Sequence, residues 1–554
     1  RILTTGHLVP GAVGSYDIGS TGAEIGDVYL ADGKSVYLGS DQDVRIYYDS
    51  AGSTAFTIDA NAGYMYINSD ALRLNSKTSA WNYLRGDKSD GVVKLYKSNS
   101  ERLATSDTGI TVTGEVAASQ DYPNYRPTLD FNFAAQKKLD PRITYEKTGP
   151  ASFVNEFGKV VLVGDNAPRF DHDPITRECR GLLIEESRTN QMIYSSDITA
   201  DVSQNSGYTV TNGTVTGNQT TAPDGTTTAD QFACNTTNSL HRVSIYFTSG
   251  QISNSTAYTF SVFVKSNGYD KLHIRYGGYN ADNHGLGYDL SDGTTFAGKF
   301  DGTGSLGAVT SSSMIEYPNG WYRCAFTFTT ASDAATGSAG IFYYISNSES
   351  TTNFAGDGSS GMHFWGAQME VGKFPTSYIP TNGRTVTRGN ESFEIDGEDF
   401  TDFFNTTEGT VLSHITPLDN SLGNHSGTGG VVWSFDSGAG FGNGHYLSNA
   451  NSTTAFAHAV MVGNSAQNTG GGTGNMTNGV PFKNATVFKK DDFIMATNGT
   501  TASADTSGNL PTVVKLVLGN NGWGNTLNAA NIHFNRFAYY SKRLPNTQLV
   551  TLTS

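Results

Sequence analysis

Hydrophobic and polar positions alternate in short runs along almost the whole chain. "DVYLADGKSVYLGSDQDVRIYY", residues 27–48, repeats a strand-sized piece every eight residues. The pieces are 27–30, 35–38 and 43–46, and turn-like Ala-Asp-Gly-Lys and Gly-Ser-Asp-Gln separate them. Further short alternating runs follow at 56–58, 64–67, 72–74, 92–96 and 109–114. This spacing predicts strands joined by tight turns and leaves sandwich, barrel and solenoid open. A unit this small cannot bury its own apolar face. It must stack on its neighbours or wind with other copies of itself, so residues 1–118 read as a repetitive β-shaft.

The pattern changes at 119–195. "YPNYRPTLDFNFAAQKKLDPRI" carries three prolines, and "APRFDHDPITRECRGLLIEESRTN" surrounds Leu182, Leu183 and Ile184 with charges of alternating sign. This segment reads as a connector that docks between domains. Regular strand patterning returns at 196–384, in runs such as 258–264, 272–276, 321–328 and 340–345. An antiparallel jelly-roll sandwich fits that spacing. Residues 385–554 repeat the pattern at 409–415, 430–435, 513–518 and 532–540 and read as a second β-sandwich. The one helical signal is a turn opening at Pro545.

Composition narrows the function classes. Charged residues make up only 16 % of the chain, Gly numbers 64, and the net charge is −15. No basic stripe is present, which argues against a nucleic-acid partner. No run approaches the roughly 18 apolar residues of a spanning helix, so no membrane insertion is expected. Cys179, Cys234 and Cys324 are far apart and odd in number, which predicts buried free thiols and folding in a reducing cytoplasm. The chain opens on Arg1 rather than Met, and further chain is expected before it.

Six stretches carry a resemblance. "GHLVPGAVGSYDIGSTGAEIGDVYLADGKSVYLGS" (6–40) resembles tail-fibre segments of marine tailed bacteriophages. "LDPRITYEKTGPASFVNEFGKV" with 167–190 resembles a linker of virion fibres. "NGWYRCAFTF" and "HFWGAQMEVGKFPTSYIPTNGRTVTR" resemble the carbohydrate-binding-module-like jelly roll that follows such a linker, and "FAYYSKRLPNTQLVTLTS" resembles the end of a concanavalin A-like (laminin G-like) domain. The resemblance implies an all-β protein: an elongated homotrimeric shaft followed by two antiparallel sandwich domains. It would be a tail fibre of the virion, made in the host cytoplasm. Its N-terminal part would join tail, baseplate or adaptor proteins, and its distal domains would attach to host-surface polysaccharide without catalysis. A tailspike-type depolymerase and a purely structural fibre are the alternatives.

Candidate chemistry is sparse. No nucleophile elbow, HExxH or P-loop is present. Asp171, His172, Asp173, Glu185 and Glu186 could form a metal or carboxylate site. Arg169, Arg177, Arg180 and Arg188 beside them make structural salt bridges the simpler reading. Trp321, Trp365 and Trp433 lie in apolar strands and read as core. "RYGGYNADNHGLGYD" interleaves aromatics with amides, as sugar sites do, and makes Tyr276, Tyr279, Asn280, His284 and Tyr288 glycan candidates. Asn520, Asn521 and Trp523 form a second cluster. No cofactor is expected. The acidic turn at 396–399 is too small by itself to supply the six to eight oxygens of a calcium site.

Overall fold

The computed structural model describes residues 20–31, 34–38, 44–49, 55–60, 71–75, 82–87, 91–98, 100–106, 109–112, 126–199, 208–278, 282–418, 430–439, 442–449, 455–520 and 530–554. The chain divides into two compact units, Arg1–Gln120 and Asp121–Ser554. Both are built from antiparallel strands.

In the first unit, Ser35–Leu38, Val44–Asp49 and Ala55–Ala60 form one meander, and Ala71–Asn75, Asn82–Asp87, Val92–Lys97, Ser100–Ser106 and Gly109–Val112 form another. Two pieces of the eight-residue repeat thus become a hairpin. The first, 27–30, is not a strand, and Val28, Tyr29 and Leu30 are exposed. The run at 64–67 lies outside the described residues. Directly opposed residues of an antiparallel sheet share a face. The register therefore aligns Leu74, Leu84, Leu95 and Leu103 into one aliphatic row across four strands. Val36, Ile46 and Ile58 make a second row. Among the described residues both rows keep exposed members: Leu74 is 53 % exposed and Leu95 41 %, while Leu84, Leu103 and Ile46 are half-buried. Among the described residues of this unit, Ala104 alone of the hydrophobic side chains is buried.

The second unit holds two sandwiches. In the first, a sheet ordered Gly213–Thr220, Ala229–Cys234, Gly361–Val371, Ala257–Asn267, Trp321–Thr329, Ser311–Tyr317 packs on a sheet ordered Tyr208–Thr211, Asn238–Phe247, Ala339–Ser346, Lys271–Gly277, Asn283–Asp289, Thr294–Phe296. Inward residues alternate with outward ones, and Phe260, Phe326, Phe328, Ile274, Ile341 and Tyr343 fill the core. The second sandwich buries Trp433, Phe435, Phe488, Phe537 and Tyr539. The helix Asn546–Thr553, which follows Pro545, lays Leu549 on the outside of that sandwich, against Leu412, Ala485 and Ala538.

The segment read as a connector is part of the second sandwich. Cys179–Ile184 pairs with Ile532–Tyr540, as does Leu129–Asn132, and Thr144–Glu146 pairs with Ser392–Asp396. Leu182, Leu183 and Ile184 are core, not docking surface. The jelly roll is therefore an insertion. The chain enters it through Arg188–Asn190 and leaves through Val386–Arg388, and these two crossings pair as a short antiparallel ribbon.

Two of the charges read as structural salt bridges, Arg169 and Glu185, meet Arg388 and Glu391 at this crossing, while Arg180 pairs with Asp173 and Arg188 with Glu186. Arg169 Nε and Nη2 donate to Glu391, and Nη1 donates to Glu185 Oε2 (2.6 Å), Ser377 Oγ (2.7 Å) and the Ser152 carbonyl (2.9 Å). Arg388 also pairs with Glu185, at 3.0 Å. All four charged side chains are buried. Burial alone would push the Glu185 carboxyl up, but the Arg388 and Arg169 guanidinium groups hold it well below the usual carboxylate range. Trp321, Trp365 and Trp433 are core. Cys234 and Cys324 are buried and Cys179 half-buried, all as free thiols. The acidic turn at 396–399 opens the short helix Gly397–Thr401 and buries Phe400. Among the described residues no group of three or more His, Cys, Asp or Glu could hold a metal ion.

Removing one partner of a fully buried ion pair strands the other's charge and typically costs about 3–5 kcal/mol. Glu185→Gln is expected to destabilise the second unit by about that amount at pH 7, read from tryptophan fluorescence during urea unfolding. Because the folded-state pKa is depressed, the parent's advantage is complete above the unperturbed value of 4.5. It disappears as pH falls through the folded-state value, so the gap between parent and variant narrows in acid. Equal stability at pH 7 would show that the cluster contributes nothing.

Candidate functional site

Strand parity decides which residues of 271–289 reach solvent. In Lys271–Gly277, Leu272, Ile274 and Tyr276 face the core, whereas His273, Arg275 and Gly277 face outward. Tyr276 is fully buried, with its ring stacked 4.3 Å from Phe328. Tyr288 is also fully buried. Neither ring is a surface platform for a sugar. Both lie on the inward parity of their strands, which the alternation of aromatics and amides does not reveal. His284 sits at the sheet's end, with Nδ1 2.7 Å from the Ala308 carbonyl, Nε2 2.8 Å from Asp282, and its ring stacked near Phe328. Tyr279 and Asn280 lie outside the described residues, as do Asn521 and Trp523. Asn520 is buried, and its carbonyl lies 3.5 Å from Ser434 Oγ.

The outward parity assembles a different cluster. Three adjacent strands place Arg242, Ser244 and Tyr246, then Gly340, Phe342 and Tyr344, then His273, Arg275 and Gly277 on one face. Tyr246 and Gly340 are cross-strand partners, as are Gly340 and Gly277. A Cβ at Gly277 would come within 2.9 Å of both Arg275 Nη2 and the Phe342 ring, and one at Gly340 within 3.3 Å of the Phe342 and Tyr246 rings. The two glycines leave room for the rings and the guanidinium close to the sheet. Phe342 meets Tyr246 edge-on at 5.4 Å, and Tyr246 remains 41 % exposed.

The two arginines are held by this aromatic floor. Arg275 lies over Phe300 at 4.5 Å and Phe342 at 4.9 Å, and its Nε donates to Asn283 Oδ1 at 2.7 Å. Arg242 lies over Phe342 and Tyr344 at 5.4 and 5.9 Å. Both Nη1 groups reach the Tyr344 hydroxyl, at 3.4 and 3.3 Å. The half-exposed Asp301 carboxylate stands 3.6 Å from Arg242 and 3.8 Å from Arg275.

The short hairpin of Lys299–Phe300 and Gly304–Ser305, with Asp301 in its turn, is tied to the sheet. Lys299 N–H donates to His273 Nδ1 (3.0 Å), which places the ring proton on Nε2, facing the Ser348 carbonyl at 3.2 Å. Burial pushes His273 down to about 4, so it is neutral at pH 7. Asp301 and Gly302 adopt left-handed backbone, and Gly302 N–H donates to Thr352 Oγ1. An exposed ring beside fixed guanidinium edges, an amide and hydroxyls can stack a pyranose and bond its substituents.

A recess of about 780 Å³ lies elsewhere in the second unit, between Ser311–Ser313, Lys373–Pro375, Pro417 and Asn478. The Ser311 and Thr327 hydroxyls there donate to the Lys373 carbonyl. They hold that loop rather than face a ligand. The arginine face is the better-formed site.

Sequence reasoning passed over Arg242, Tyr246, Phe342 and Tyr344. The available signal was alternation in "HRVSIYF" and "GIFYYIS", where every second residue is a polar or aromatic group that the opposite face does not need.

No protein-family model matches the chain, and no curated protein does. Solved structures similar to parts of it include a SAP-like pentraxin from Limulus polyphemus, at 15 % identity over 27 % of this chain and 70 % of that one, with a TM-score of 0.21. The tandem CBM22 domain of Paenibacillus barcinonensis Xyn10C matches at 10 % identity over 63 % and 98 %, with a TM-score of 0.21. Domains LG4-5 of the mouse laminin alpha1 chain match at 11 % over 56 % and 93 %, with a TM-score of 0.17. Overlaps this slight assign no function.

Parity makes a paired prediction. Tyr276→Ala removes a buried ring and is expected to cost about 3–5 kcal/mol in urea unfolding. Tyr246→Ala removes an exposed one and should stay within about 0.5 kcal/mol of the parent. The reverse ranking would place the two faces the wrong way round.

Proposed function

We propose that the chain is a fibre-type adhesin of a tailed-phage virion. Its first unit assembles with two further copies, and the outward jelly-roll face attaches to host-surface polysaccharide without catalysis. The observation that carries the attachment half is the Tyr246–Phe342–Arg242–Arg275 surface, where an exposed ring and fixed donors share one open sheet face. The assembly half is supported by the aliphatic row through Leu74, Leu84, Leu95 and Leu103, in which Leu74 and Leu95 are exposed. Exposed apolar rows of this kind are interface surface. The resemblance of 6–40 and 139–190 to virion fibres supplies the biological setting. Three copies would bring three weak sites to one surface and raise avidity through effective concentration.

Light scattering of the full chain is expected to give three chains per particle. Leu95→Asp should lower that number, because it places a charge in the row. A monomeric parent would remove the fibre half of the reading. For the other half, the parent should be retained on immobilised host-type polysaccharide, and Tyr246→Ala should lose about ten-fold, the scale of one sugar–ring stack. Release of reducing ends by the purified parent would replace attachment with depolymerisation.

A further inference from the structure

Resting on the glycan-attachment reading, we propose that this face selects polysaccharides that carry carboxylate or sulfate groups. The Arg242–Arg275 pair is the selecting element, and Asp301 stands in the place of the ligand's anion when the site is free.

The electrostatics of the face are unbalanced. Two guanidinium groups share one carboxylate, leaving a local excess of one positive charge in a chain whose net charge is −15. Asp301 also sits too far away to satisfy the donors it neutralises. Its oxygens stand 3.6 and 3.8 Å from the Nη1 atoms, beyond direct hydrogen-bonding distance. Arg242 Nε is buried and has no hydrogen-bond partner among the described residues. A guanidinium carries five N–H donors. The Arg242 bond to Tyr344, at 3.4 Å, is long and neutral.

The aromatic floor defines what an incoming group can reach. With the guanidinium planes over Phe300, Phe342 and Tyr344, their N–H edges are what they offer a ligand. Planar N–H edges match the paired oxygens of a carboxylate or sulfate and make charge-assisted bonds stronger than those to a hydroxyl. Asp301 is half-exposed at the tip of a turn, so an anion approaching beside Tyr246 can take over its role without disturbing the sheet. Removing Asp301's charge should then help an acidic ligand and leave a neutral one unaffected.

The test measures retention of the full-length protein on four immobilised probes: dextran, dextran sulfate, polygalacturonate and carboxyl-reduced polygalacturonate. The expected result is retention on dextran sulfate, polygalacturonate or both, with each outbinding its uncharged counterpart. The two charged arms separate sulfate from uronate as the source of the anion. Arg242→Gln should weaken charged-probe binding by about ten-fold or more, the worth of a hydrogen bond to a charged group. Asp301→Asn should strengthen it by about two- to five-fold, the scale of one half-exposed charge pair. A gain in affinity cannot come from misfolding. Equal retention of charged and neutral probes overturns the selectivity and leaves glycan attachment standing. Retention of none overturns both. Charge selectivity that persists unchanged in Arg242→Gln and Asp301→Asn overturns the assignment to this pair.

Discussion

The second unit depends on four buried charges at one crossing of the chain. Arg169, Glu185, Arg388 and Glu391 come from the segments that enter and leave the jelly roll, and Ser377 from the jelly roll itself adds a hydroxyl. Taking such ions out of water costs several kcal/mol each, so the cluster survives only if its polar atoms are met. Arg169 meets that condition closely, with every nitrogen bonded to an oxygen. Glu391 also accepts the Glu185 backbone N–H and the Tyr145 hydroxyl. The charges balance, two against two. What the arrangement secures is registry. A sandwich interrupted by an inserted domain must bring its two halves together at one geometry, and a shifted pairing would leave buried charge unmet.

The sequence pointed to two of this cluster's four members, Arg169 and Glu185, and not to Arg388, Glu391 or the topology that joins them. Alternating sign around 167–190 predicted salt bridges, and they are there. The partner of Arg169, however, is 222 positions away. No local pattern marks Leu182–Ile184 as a strand of the later sandwich rather than a connector. Tyr276 and Tyr288 drop out as surface candidates for a different reason. The stretch 275–289 does border the arginine face through Arg275 and Asn283, but composition drew attention to Tyr276 and Tyr288, which point inward. A one-residue step in a strand exchanges core for surface. Composition carries no parity, whereas the apolar positions Leu272 and Ile274 do.

The two units use apolar surface in opposite ways. Each sandwich has a second sheet to cover the first, so alternation resolves into a closed core with aromatic residues at its centre. In the first unit the leucine row runs across four strands, and among the described residues Leu74 and Leu95 of that row are exposed. Folding free energy available to such a sheet from burial within one chain is small. Under the proposed assembly, further copies of the chain would supply the missing burial through these same residues.

The arginine face is rigid for reasons that lie outside its ligand-facing atoms. Arg275 is fixed on three sides, by Phe300, Phe342 and Asn283, so little side-chain entropy remains to be lost when a ligand binds. Two of those supports are residues of the main sheet, but Phe300 is on the short hairpin of Lys299–Phe300 and Gly304–Ser305. That hairpin stays in place because Lys299 bonds to a neutral His273 and Gly302 to Thr352. His273 can accept the Lys299 N–H only while Nδ1 is unprotonated, and burial keeps it so at pH 7. Protonation would convert the acceptor into a donor facing a donor and break this tie, leaving the bonds between Gly302 and Thr352. The placement of Phe300 and Asp301 over the arginines thus rests in part on an imidazole that need never touch a ligand.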